Sequence, residues 1–329
     1  MGRVSTFADP EVIKLTKTTF VPVCTDDWYT RRRRDAEGEF FHKVAVQGPR
    51  KDRDNTRQGI YVFTADGELL GFKNAGQNAE VMKEVFANAL AKFKKLPAAR
   101  TKPGAITVPE HGKFDSNYTR QLPAGALVLR ANARILDRKG EAFAKGTCEF
   151  AGGDRASRDF VWLTKEEVQS LAPAKAEVGF SYPVPVKVAE RIARYNLIDN
   201  TRGEPNFWTR EQVRKNAMTL TVVKADAESV DLRFDGAATM ASDADLAKAD
   251  RGYEVKLRGQ LRWKPKAGTF DQFDIAGVGD HWGRSTFTPG DRPGRTPLGV
   301  AFGLADPDKP SERIAPQGLR DRGPYWGRE

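Results

Sequence analysis

Tyr253-Glu254-Val255-Lys256-Leu257-Arg258-Gly259-Gln260-Leu261-Arg262-Trp263 places apolar side chains at every second position except Gly259. A strand turns successive side chains to opposite faces, so this run asks for a sheet with one buried and one wet face. The same alternation recurs at 219–223, 230–236 and 270–275, and shorter runs occupy 127–130 and 133–136 before the turn Asp137-Arg138-Lys139-Gly140. Together they predict a mainly antiparallel β domain, a sandwich or a barrel, over residues 127–329. Helices are expected to interrupt it near 164–171, 186–195 and 209–217. The first and third of these follow capping-box patterns, Thr164-Lys165-Glu166-Glu167 and Thr209-Arg210-Glu211-Gln212.

Upstream the pattern changes. Asp9-Pro10-Glu11 opens a helix, with a cap acceptor, a proline suited to the first turn and an acid at the positive dipole end. Phe20-Val21-Pro22-Val23-Cys24 reads as a buried strand, and the region around Phe40, Phe41 and Val44 as a helix. Ile60-Tyr61-Val62-Phe63 and Leu69-Leu70-Gly71-Phe72 flank Asp66-Gly67, a hairpin signal. Residues 77–96 then carry Val81, Val85, Ala89, Leu90 and Phe93 at helical spacing.

This order resembles the thioredoxin-like superfamily over about residues 5–97, carried by Phe7-Ala8-Asp9-Pro10-Glu11-Val12, Phe20-Val21-Pro22-Val23 with Asp26, and the segment from Tyr61 to Leu96. The resemblance implies a thioredoxin-like α/β domain, giving an α+β chain of domain 1–97, a Pro/Gly-rich linker 98–126 and the β-rich domain 127–329. The family's Cys-x-x-Cys is absent, and no proline stands near Gln58-Gly59, where its cis-proline would fall. The resemblance therefore implies the scaffold and not dithiol exchange.

The chain has 329 residues and a formal net charge of +10, half of it within residues 1–100. No stretch approaches the roughly 20 apolar residues of a membrane-spanning helix. The start lacks the apolar core of a secretory signal, which suits a cytoplasmic protein or an exported one with its signal removed. Arg31-Arg32-Arg33-Arg34, beside Trp28 and Tyr29, offers an anionic-polymer surface, nucleic acid included. Acidic neighbours Asp35, Glu37 and Glu39 fit a solvated helix turn better.

The two cysteines, Cys24 and Cys148, read as free thiols. Candidate catalytic residues are Cys24 as a thiol and His281 flanked by Asp280, with Arg295 nearby. Candidate binding residues are Arg202 and Trp208, Trp282, Arg292 and Arg295, in segments read as loops at strand ends, where functional groups concentrate. His42, His111 and His281 match no local metal template, and no phosphate-binding loop, dinucleotide fingerprint or nucleophile elbow is present. No cofactor is expected, and no metal ligands are assigned. The leading expectation is a binding protein for a small ligand or a protein partner. A single-cysteine redox protein or an enzyme built on Cys24 or His281/Asp280/Arg295 is the alternative.

Overall fold

The alternating run at 253–263 lies within β8, Gly252–Lys264, near the middle of an eight-stranded antiparallel sheet. The structure, a computed structural model, describes residues 6–327 apart from 77, 108–109, 144–147, 149–152, 289, 291, 293 and 307. Two units divide the chain, Met1–Arg120 and Gln121–Glu329.

In the second unit the sheet contains β3 (Leu127–Ile135), β4 (Asp159–Leu163), β5 (Ser181–Pro183), β6 (Val213–Ala225), β7 (Val230–Ala241), β8, β9 (Thr269–Trp282) and β10 (Thr296–Leu304). Their order is β4-β3-β10-β9-β8-β7-β6-β5, all neighbours antiparallel. Along β8, Val255, Leu257 and Leu261 are buried while Lys256, Arg258 and Gln260 are exposed, as period-two alternation requires.

The buried face packs on helices rather than on a second sheet. Val168 and Leu171, in and just after Lys165–Ser170, and Val188 of Val186–Arg191 join Leu220, Leu232, Leu257 and Phe273 in one core. Each such side chain contributes roughly 1.5–3 kcal/mol by leaving water. The capping box at Thr164 forms, with Thr164 and Glu167 bonding each other's backbone N–H. The expected helix at 209–217 does not. Thr209 and Gln212 close one turn, and Val213 then enters β6 opposite Met240 because the residues that follow, apart from irregularities after Val213 and Val222, pair along β7.

After Arg191 the helix continues as a π-helical turn, Ile192–Asn196. Its wider ring brings Leu197 and Ile198 into the core and delivers Asp199 to a buried position. Arg191 anchors the C-terminal segment. Its guanidinium pairs with Glu167, donates to the carbonyls of Trp162 and Tyr325 at 2.9 Å each, and stacks on the rings of Tyr325 and Trp326.

The first unit contains α1 (Pro10–Thr19), α2 (Asp27–Thr30), α3 (Ala36–Ala45), the hairpin β1–β2 (Ile60–Phe63, Leu69–Lys73), α4 (Ala79–Phe93) and the short α5 (Ala98–Thr101). Asp9 caps α1 as its sequence asks, accepting from Glu11 and Val12 N–H. Val12, Val62, Leu70, Met82, Phe86 and Ala89 form the small core. The face of α4 that is fully buried is Met82, Phe86 and Ala89, with Val85 and Phe93 partly covered.

The expected strand at 20–24 is absent. Val21 is 91 % and Val23 73 % exposed, and among the described residues the 21–25 backbone has no hydrogen-bond partner. Pro22 removes one donor, and no neighbouring strand supplies a ladder.

Candidate functional site

Strand alternation determines which side chains of β9 share a site. His281 turns inward and is 4 % exposed, while Asp280 is exposed and Trp282 lies half-buried on the opposite face. Asp280 therefore cannot orient His281, contrary to the reading of adjacent residues as a pair. The segment 277–282 is also strand rather than loop. Arg295 belongs with Trp282, stacking 4.0 Å over its ring and pairing with Glu254, so it too stands apart from His281.

The carboxylate of the His281 neighbourhood is Asp199, delivered by the π-helical turn. It is 2 % exposed and accepts from the Thr201 hydroxyl at 2.6 Å, from Arg202 Nε at 2.8 Å and from Arg292 Nη2. The remaining Arg202 nitrogens donate to the carbonyls of Gly283 and Gly290, tying the segment after β9 to the 199–202 loop. Gly283 makes this possible with φ 74°, because a Cβ there would run into the Asp250 carbonyl. Trp208 closes one wall, its indole N–H donating to the Leu197 carbonyl at 3.0 Å.

Arg251, at the entrance to β8, was not singled out by any sequence pattern. Its guanidinium lies 3.8 Å above the Trp208 ring. It is 9 % exposed, and among the described residues its side chain has neither a hydrogen bond nor an ion pair. Arg292 is also incompletely used, since its buried Nε and Nη1 have no acceptor among the described residues.

The charges do not balance. The buried groups that act on His281 are one carboxylate, Asp199, and three guanidinia, Arg292, Arg202 and Arg251. Burial first, and then those guanidinia, push the imidazole down to about 3, leaving it neutral at physiological pH despite Asp199. Burial raises the Asp199 carboxyl, but Arg292, the Thr201 hydroxyl and Arg202 outweigh it and hold the group below its ordinary range. Burial alone pushes Arg251 down to about 10. Tyr253 lies beside His281, with ring centroids 5.9 Å apart, and its hydroxyl donates to the Leu298 carbonyl at 2.7 Å.

Between Trp208, Arg251, His281, Ser285 and Thr288 lies a cavity of about 10 Å³. That is room for about one water-sized species. Its lining also includes the Asp199 carboxylate, Arg202 and Arg284, so guanidinia, one carboxylate, hydroxyls and the Trp208 ring share the wall.

Four of the residues expected to act thus converge, His281, Arg202, Trp208 and Arg292, and the structure adds Asp199, Arg251 and Thr201. Asp199 carried a signal in the dense polar run from Asp199 to Pro205; Arg251 carried none, being one arginine ahead of a strand.

The other candidates divide between the units. Cys24 is an exposed thiol in the open 21–25 segment of the first unit, and Cys148 is half-buried in the second, near enough to Arg292 to act on it. Both are free. The arginine run is largely occupied within its own unit: Arg31 donates to the Asp54 carbonyl at 2.7 Å, Arg32 stacks on Trp28 at 4.4 Å, and buried Arg33 chelates Asp35. Only Arg34 of the four is exposed. Carbonyls and carboxylates of the surrounding loops take up donors of Arg31, Arg32 and Arg33.

Among the described residues no three His, Cys, Asp or Glu side chains converge on a metal position, and no helix is long and apolar enough to cross a membrane. Compared with protein-family models, curated proteins and solved structures, the chain has no match.

Proposed function

We propose that the chain is a ligand-binding protein whose site is the buried polar cluster around His281, with the first unit serving as a scaffold without dithiol exchange. The observation that carries this reading is the small cavity lined by Asp199, Arg202, Trp208, Arg251 and His281, in which the Arg251 side chain has no acceptor among the described residues; burial pushes the His281 imidazole there down to about 3. A general base works best with a pKa near the operating pH, and this imidazole is far from it. A neutral ring beside Tyr253, in the field of the fixed Asp199 carboxylate, is suited to orienting a bound group by hydrogen bonding. A thermal-shift screen of the purified full chain against small polar compounds tests the reading. Saturable stabilisation that weakens in His281→Gln is the expected result. Robust turnover of a defined substrate that disappears in His281→Gln would overturn it.

A single-cysteine redox role is a second reading, favoured by the exposure of Cys24 in a segment without backbone partners among the described residues. Peroxide or disulfide reduction that is lost in Cys24→Ser would establish it, and unchanged activity would remove it. Anionic-polymer binding is the weakest reading, with Arg34 its one exposed arginine in the run. The thioredoxin-like kinship of residues 5–97 is proposed on the hairpin β1–β2 and the long helix α4 that follows it. Among the described residues the sheet beside α4 has only these two strands; a crystal structure in which 20–24 pairs with β1 would support the kinship, and one that keeps two strands would remove it.

A further inference from the structure

Resting on the ligand-binding reading, we propose that Arg251 is the receptor for a small monovalent anion, either a free halide-sized ion or the carboxylate end of a larger ligand. Arg251 is 9 % exposed as a residue, its side chain lacks any anionic or carbonyl partner among the described residues, and it lines the cavity. A buried charge without a partner is costly, and proteins retain one where something else completes it. Trp208, 3.8 Å away, covers one face of the guanidinium and leaves its edge to donate. Asp199 is not that partner, because its oxygens are already taken by Thr201, Arg202 and Arg292.

Size narrows the class. The cavity of about 10 Å³ has room for about one water-sized species, which fits a halide or a carboxylate oxygen better than a tetrahedral oxyanion. The Thr288 hydroxyl already donates to the Ser285 carbonyl at 2.9 Å, whereas Arg251 has its donors unused among the described residues and neutral His281 supplies one ring N–H; Arg284 and Ser285 complete the polar lining. An anion here also offsets the three-to-one excess of guanidinium over carboxylate around His281.

The test compares the full-length protein with Arg251→Met, a side chain of similar reach that can still pack on Trp208. Thermal unfolding is followed while chloride, formate or acetate replaces sulfate at constant sodium, with acetamide as the uncharged control. In the wild type, chloride or a carboxylate is expected to raise the unfolding temperature saturably. Saturation by chloride identifies a free ion, and saturation by formate and acetate alone identifies a carboxylate. In Arg251→Met the apparent affinity is expected to fall by about tenfold or more, the loss of a charge-assisted hydrogen bond. In sulfate buffer free of monovalent anions the variant is expected to melt above the wild type, since it no longer buries a lone charge.

An equal anion response in both proteins overturns the inference, as does a variant that melts lower in sulfate while the wild type shows no saturation. Saturation by acetamide equal to that by acetate overturns the anion but leaves the ligand-binding reading intact. Failure of every compound in the wider screen is what removes that reading.

Discussion

Arg191 and Arg251 are both buried arginines of the second unit that stack on aromatic rings, and their surroundings differ at every other point. Arg191 meets a carboxylate, two backbone carbonyls and two aromatic faces, so its charge and donors are used within the fold. Arg251 meets one aromatic face and no acceptor among the described residues. The first arrangement is what a structural ion pair needs to offset desolvation; the second has its desolvation without the offset. The comparison separates a cluster that holds the chain together from one that awaits a group from outside.

The strongest way to break that contrast is Arg191→Met. It leaves Glu167 and two carbonyls without their donor and should cost about 3–5 kcal/mol, read as a lower urea midpoint with unchanged m. A loss as small as that of a surface residue would mean that Arg191 does not anchor the C-terminal segment. Asp199→Asn should follow at roughly 3 kcal/mol, because it leaves Arg202 and Arg292 facing a neutral amide. Added chloride should recover part of that loss, whereas it should do nothing for Arg191→Met.

Asp159 sharpens the comparison, being a buried acid satisfied on one oxygen only. Its Oδ1 accepts from the Phe160 and Gln317 N–H groups at 2.8 and 3.1 Å, while Oδ2 has no partner among the described residues. Burial pushes the carboxyl up to about 6 against those hydrogen bonds and nearby Arg320. A raised carboxyl means that the folded state holds its proton more tightly than the unfolded chain. The resulting stability is complete below about pH 4 and is lost as the pH rises through 6. Asp159→Asn should therefore match the wild type near pH 4 and exceed it by roughly 2–3 kcal/mol at pH 8, measured by urea unfolding at both. Equal stability of the two proteins at pH 8 would refute the assignment.

His281 acts in the opposite sense. Its depressed pKa makes the unfolded chain the better proton binder between about 3 and 6.5, so its contribution is present above 6.5 and declines on acidification. His281→Gln should flatten the wild type's loss of stability over that interval. The smallest effect is expected at Arg34→Ala, within about 0.5 kcal/mol, as for a surface site; a larger loss would show that the exposed end of the arginine run is bound into the fold as firmly as buried Arg33.

Local chemistry accounts for much of the fold. Alternation at 253–263 marks β8, Asp9-Pro10 starts α1, Asp66-Gly67 turns the hairpin and Thr164–Glu167 caps its helix, each a preference met within a few residues. Two expectations failed where a local preference met a stronger or missing partner. The capping pattern at 209–212 yielded to the β6–β7 ladder, and 20–24, strand-like in composition, found no strand to pair with.

Parts of the site were legible in the same way: His281, Arg202, Trp208 and Arg292 stood out as polar and aromatic residues in segments that looked like loops. Their grouping was not. Sequence adjacency joined His281 to Asp280, but the pleat of β9 turns those two to opposite faces, and the π-helical turn brings Asp199 from a distant segment instead. Arg251 had no signal because its distinction is an absence of partners, which exists only once every other chain segment has taken its place. Residue type and spacing determine which face of a strand is apolar. Which charges meet on that face, and which is left unmatched, depends on sheet register and long-range packing.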